Sequence, residues 1–199
     1  MNSITEQKNL LRKASLQKRD AIPETTRIEM SLQACDHALS VPALNPNSIT
    51  AGMVVAGFYP IRSEIDIRPL LFALAKYGAR LCLPVVTSKT TIEFRELVKE
   101  APLVSSGFGT IGPDEHAAVL DPQILLMPLS VYDQKGGRIG YGAGYYDRAI
   151  ERLVGKGISP KLLGMAFSIQ KAQTVPMEPH DRFLEAIITE IGTSSFKQK

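Results

Sequence analysis

The 199-residue chain has only two cysteines, Cys35 and Cys82, far apart and outside any CxxC or Cys/His spacing. That scarcity excludes a disulfide framework and a zinc pattern, and it predicts two reduced, buried thiols in a cytoplasmic protein. Long apolar runs are missing as well. The longest, at 53–59 and 124–129, fall far short of the ~20 residues a bilayer-spanning helix needs. Glu6 interrupts the start before a secretory core could form, so no membrane association is expected. A strong excess of either charge is also missing. Twenty-three Lys and Arg against 20 Asp and Glu leave +3, which suits a small anionic ligand but is too weak to argue for nucleic acid. No internal repeat or low-complexity segment is visible. His37, His116 and His180 show no metal-like spacing among themselves.

What is present reads as one soluble domain over 1–199, with a polar tail from Thr193 expected to fray. Two helices occupy the first forty residues, separated at Pro23. On the first, Leu10, Leu11, Ala14 and Lys18 share one side, while Lys8, Arg12, Ser15 and Arg19 share the other. The default for that basic stripe is a solvated face. Ile28, Leu32, Cys35 and Leu39 mark an apolar stripe on the second helix. Strands are predicted at 53–59, 80–86, 91–98, 123–127, 161–167 and 186–189, with a helix at 66–77 and a glycine-rich loop at 104–113. Strands alternating with helices predict an α/β fold with a mostly parallel sheet.

The segment 136–148, GGRIGYGAGYYDR, carries five glycines ahead of a helical pattern. Tyr145, Tyr146, Ala149, Ile150, Leu153 and Val154 share one half of that helix. Glycines permit close backbone approach, and converging N–H groups with a helix N-terminus behind them form an anion site. Arg138 adds a bidentate donor fork for phosphate. Asp147, in the first turn, is placed to hold a metal that also touches phosphate. The segment is not a Walker A loop, because GxxxxGK[ST] is absent. It is a poor dinucleotide fingerprint too, since the preceding strand ends near Met127 rather than in a tight turn.

At these residues the sequence resembles the 5-formyltetrahydrofolate cyclo-ligase (methenyltetrahydrofolate synthetase) family, whose motif here reads RIGYGAGYYD at 138–147. The resemblance continues through Lys8 and Arg12, YPIRSEID at 59–66, MPLSVYD at 127–133, PMEPHD at 176–181 and ITE at 188–190. It implies a three-layer α/β/α sandwich of the ribose-5-phosphate isomerase/CoA transferase type. It also implies Mg-ATP-dependent cyclisation of 5-formyltetrahydrofolate to 5,10-methenyltetrahydrofolate, with release of ADP and phosphate. By position, Lys8, Arg12, Arg138, Ile139, Gly140, Tyr141, Gly142, Ala143, Gly144, Tyr145 and Tyr146 would bind ATP, with Arg138 and Tyr146 at the chemistry. Tyr59 and Glu64 would contact the folate, and Asp147 and Asp181 would hold Mg2+. The expected partners are these two small molecules, acting on a monomer that binds no nucleic acid.

Three positions depart from the pattern: Ala143, where Gly or Lys is common, Leu129, where Gly is usual, and Ile67, where Thr is common. The reaction demands cations, backbone donors and a metal carboxylate rather than a Ser-His-Asp triad, because the nucleophile is the substrate's own N10. Rival readings are a sugar-phosphate isomerase or CoA transferase of the same architecture, or a nucleic-acid-binding module using the basic first helix.

Overall fold

The computed structural model describes residues 3–107 and 109–196. In chain order its elements are α1 (Ile4–Asp20), α2 (Glu24–Ala38), β1 (Val54–Ala56), α3 (Arg68–Lys76), β2 (Arg80–Val86), β3 (Ile92–Glu96), β4 (Leu103–Ser105), β5 (Ile111–Pro113), β6 (Ile124–Pro128), β7 (Val131–Tyr132), β8 (Arg138–Ile139), α4 (Tyr145–Gly155), β9 (Lys161–Met165), β10 (Ala186–Thr189) and β11 (Gly192–Ser195).

Local chemistry sets the ends of these elements. Ser3 and Glu6 form a capping box at the start of α1, satisfying two backbone donors that would otherwise be orphaned. Pro69 sits in the first turn of α3, where its missing N–H costs nothing. Ile67 precedes it without a side-chain cap, and the Asp66 carboxylate takes the Arg68 N–H instead. So the departure at Ile67 moves the cap back one residue, and Ile67 itself is buried in the core.

Seven strands form the central sheet in the order β11-β10-β9-β6-β1-β2-β3. The five from β10 to β2 run parallel, and β3 and β11 close the two edges antiparallel. Successive side chains alternate between two cores, as strand geometry requires. Val55, Leu83, Leu126 and Ile188 join α2 and α3 on one face. Ala56, Cys82, Leu125 and Ile187 join α4 on the other. The result is the expected α/β fold with helices on both faces of a mostly parallel sheet. Chain order reverses between β1 and β6, one neighbour leading to β2 and the other to β9. In open α/β sheets, ligands bind beyond the strand C-termini at such a switch point.

Several expectations are corrected. The stretch 104–113 is not a plain loop, because β4 and β5 pair there as a short hairpin. Residues 193–195 pair with β10 as β11 instead of fraying; 197–199 lie outside the described residues. On α2, Ile28 and Leu32 are exposed, whereas Ser31, Ala34, Cys35 and Ala38 are buried. The small side chains let α2 sit close to the 64–67 segment, where the Ser31 hydroxyl accepts the Asp66 N–H at 3.0 Å. On α4, Val154 is exposed and falls outside the packed face. On α1 the faces are reversed. Leu10 is 59% exposed, while Ser15 and Arg19 are buried and Lys8 and Arg12 are half-buried. The polar stripe faces inward because it meets the carbonyls and carboxylates of a cavity rather than an apolar core.

Candidate active site

Between Pro128 and the glycine segment the chain inserts the β7–β8 hairpin, which accounts for the distance between strand and loop. Its turn is built by the buried Asp133 carboxylate, which accepts N–H bonds from Lys135, Gly137 and Val175 at 2.8–2.9 Å. Gly136 has φ +85, and a Cβ there would stand 2.8 Å from the Leu184 carbonyl oxygen. The glycines therefore divide into two jobs. Gly136 and Gly137 make the turn, and Gly142 and Gly144, at φ +100 and +65, shape the loop entering α4. Arg12 braces that loop by donating from Nε to the Gly140 carbonyl at 2.7 Å. Arg148 braces it from the other side, donating to the Ala143 carbonyl at 2.6 Å and the Thr90 carbonyl at 2.7 Å.

A cavity of about 960 Å³ opens at the C-terminal ends of β1 and β6. It spans the switch point, the glycine loop, the inner face of α1 and the 178–182 segment. Every candidate named from the sequence, from Lys8 to Asp181, lines this one cavity. Contributors that the sequence reading did not name include Glu178, Arg182 and the β4–β5 hairpin, which brings Thr110 and Ile111 to the rim.

At one end lie Arg138 and α4. Arg138 is 8% exposed, and its Nη2 donates to Asp147 Oδ1 at 2.6 Å. Asp147 Oδ1 also accepts the Arg182 N–H at 3.2 Å. Arg138 Nε and the Tyr146 hydroxyl are enclosed without a hydrogen-bond partner among the described residues. Burial pushes the Tyr146 phenol well above its ordinary pKa, so it stays protonated and able to donate. A buried donor left unpaired costs about 1–3 kcal/mol, and both of these residues line the one cavity.

Nearby, Lys8 Nζ donates to Asp181 at 2.5 Å and to Glu178 at 2.7 Å. Burial works to lower the ammonium's pKa, but the two carboxylates together hold it above its ordinary value. Burial likewise works to raise Asp181, yet Lys8 and the Glu178 N–H hold it below the carboxylate range. Among the described residues, one group could hold a metal: Glu178, His180 and Asp181, with ligand atoms within 4.8 Å of one another. Asp147 stands outside that group, paired with Arg138. The carboxylate oxygens of Glu178 and Asp181 are of the kind a hard divalent cation takes, and Lys8 holds both of them here.

At the other end Glu64 is buried, with its carboxylate accepting the Ile61 N–H at 2.9 Å. Burial raises its pKa, against the pull of that bond, of the Tyr141 hydroxyl and of Arg19. Tyr59 lies half-buried beside it with the Arg68 guanidinium over its ring, 5.3 Å from the centroid. This end offers an apolar wall with one acidic acceptor. The first offers cations, orphaned donors and a helix N-terminus.

Residues 4–190 match the model of the 5-formyltetrahydrofolate cyclo-ligase family. The chain is 30% identical to the 5-formyltetrahydrofolate cyclo-ligase of Mycoplasma pneumoniae, covering 92% of this chain and 98% of that protein. It is 27% identical to the Mycolicibacterium smegmatis protein of the same name, covering 92% and 93%. The solved structure of Aquifex aeolicus 5,10-methenyltetrahydrofolate synthetase superposes with a TM-score of 0.79 at 26% identity, covering 96% of this chain and 94% of that one.

Proposed function

The chain belongs to the 5-formyltetrahydrofolate cyclo-ligase family, and from that membership we propose how its cavity performs an ATP-dependent cyclisation of 5-formyltetrahydrofolate to 5,10-methenyltetrahydrofolate. The observation that supports the residue roles is that one cavity gathers Lys8, Arg12 and Arg138 with the buried Glu64 carboxylate.

A formamide carbon is a poor electrophile and its oxygen a poor leaving group. The formyl oxygen attacks the γ-phosphorus of ATP, and ADP leaves. N10 of the folate then attacks the activated carbon and loses its proton, and the C–O bond breaks to release phosphate. The nucleophile belongs to the substrate, so the protein's work is positioning and charge stabilisation. Arg138 and the Tyr146 hydroxyl take phosphate oxygens at the chemistry. Lys8 and Arg12 neutralise the rest of the triphosphate along the loop 138–146. Glu64 accepts from donors of the pterin, with Tyr59 against its face. Asp147 and Asp181, with Glu178 beside them, would hold Mg2+, which would neutralise phosphate charge once bound. No helix among the described residues is long and apolar enough to cross a membrane, and the proposed reading is of a cytoplasmic monomer whose partners are these two small molecules.

The test mixes the protein with 5-formyltetrahydrofolate and ATP, with and without Mg2+, and follows methenyltetrahydrofolate by absorbance and ADP by a coupled assay. Equal amounts of both products are expected, only with Mg2+ present. Product without ATP consumption would sink the reading, as would ATP consumption without the folate.

A further inference from the structure

Arg19 is the largest polar side chain sealed into the protein. It is 1% exposed and is not among the residues that line the cavity. Its observed donors go to hydroxyls rather than to a carboxylate. Nε donates to Ser63 Oγ at 3.0 Å, and Nη2 donates to the Tyr141 hydroxyl at 2.9 Å. Its guanidinium carbon also lies 5.9 Å from the centroid of the Tyr141 ring. Ser63 Oγ donates in turn to Asp20 Oδ1, and Ser63 is the chain neighbour of Glu64. Burying a guanidinium is costly unless its surroundings require it.

The chain of bonds has a fixed direction. Arginine can only donate, so the Tyr141 and Ser63 oxygens accept from it, and the Ser63 proton is turned to Asp20. Tyr141 belongs to the glycine loop, and Glu64 belongs to the segment after β1. Arg19 belongs to α1, and two and three turns upstream of it Arg12 and Lys8 reach the loop and the 178–181 acids. One side chain outside the cavity lining thus bridges the glycine loop and the segment after β1.

We infer that Arg19 is a positioning residue which, through its bonds to the Tyr141 and Ser63 hydroxyls, ties the nucleotide loop to the segment that carries Glu64 and makes the binding of one substrate favour the binding of the other. The inference rests on the site reading above. Nucleotide that orders the loop also orders Tyr141, and a placed Tyr141 fixes Arg19 and, through it, Ser63 next to Glu64. By linkage, folate favours nucleotide by the same factor. Lysine at position 19 keeps the charge but not the fork that spans two hydroxyls.

The test measures the Kd of 5-formyltetrahydrofolate by titration calorimetry, with and without saturating Mg2+ and β,γ-imido-ATP. Wild type, Tyr141→Phe, Arg19→Lys and Arg19→Met are compared. Coupling in wild type is expected in the usual range, about 5- to 150-fold. Tyr141→Phe keeps the ring and removes the link, so its ratio falls close to one. Arg19→Met does the same, and Arg19→Lys recovers part of the ratio. In turnover, the KM values for both substrates rise together while kcat changes less. Should Arg19→Met fail to fold, Tyr141→Phe alone decides the matter. Wild-type coupling retained in Tyr141→Phe overturns the inference and leaves the site reading intact, as does a wild-type ratio of one. Failure of the wild-type protein to bind either ligand by itself overturns both.

Discussion

Removing Arg138 perturbs folding and chemistry by different amounts, so the two can be read separately. Arg138→Ala deletes the 2.6 Å bond to Asp147 and the orphaned Nε donor. Breaking a fully buried ion pair by removing one partner costs about 3–5 kcal/mol. Asp147 is 18% exposed to the cavity and keeps the Arg182 N–H, so solvent and that bond take up part of the loss. The folding cost is then about 1–2 kcal/mol, a fall in Tm of about 2–8 °C for a chain of this size. The kinetic cost is larger. A preorganised donor aimed at developing charge contributes about 10²–10³ in rate. Steady-state kcat/KM for ATP, measured well below the variant's Tm, is expected to fall by that factor while folate binding without nucleotide is unchanged. Arg138→Lys retains charge but lacks Nε and the fork, and should fall between the two. Kinetics of Arg138→Ala within about threefold of wild type, a difference too small for a lost transition-state contact, would refute the assignment.

Three further outcomes follow from the same geometry. Glu64 has a raised native pKa, so its proton is held more tightly when folded. Its ionisation penalty is absent below the ordinary carboxylate range, grows as pH rises past it, and is complete above the native value. Glu64→Gln is therefore expected to lose folate binding yet melt above wild type at pH 8, the difference closing near pH 4; a constant difference across pH would contradict the burial argument. Lys8→Met leaves Asp181 and Glu178 without their cation. Because Asp181 is held low, the stability of that pairing is present at neutral pH and lost as pH falls through the native value. Urea melts should show the variant's deficit shrinking towards acid pH, alongside a raised Kd for ATP. Gly144→Ala forces a side chain to φ +65, with its Cβ 2.7 Å from the Arg148 guanidinium. Left-handed backbone costs an alanine about 1–2 kcal/mol, so Tm drops and KM for ATP rises; an unchanged KM would mean the loop does not carry the nucleotide.

Alternation at Ile92–Glu96, the apolar runs of β1, β6 and β9, and the glycines before an amphipathic α4 were legible because each is a local pattern with a local cause. Strand alternation follows from backbone pleat, helix faces from a 3.6-residue period, and glycine from positive φ. Those patterns determined the α/β class and the strands, and they pointed to the segment 138–147 as a candidate ligand loop. The inward face of α1 was not determined in this way. Periodicity separates Lys8, Arg12, Ser15 and Arg19 from Leu10 and Ala14, but reading a face as buried assumes that apolar residues go inside. That assumption fails where a helix closes a charged cavity, because carbonyls and carboxylates from residues 130–181 replace the water those side chains give up. Glu178 and the β4–β5 hairpin were invisible for a related reason: their part in the site depends on partners distant in sequence. The sequence by itself set which residue types could meet a phosphate and a pterin. Only the tertiary structure decided that α1 turns its basic stripe towards them, with Arg19 sealed behind Tyr141 and Glu64. A single helix has no inside until the rest of the chain has folded against it.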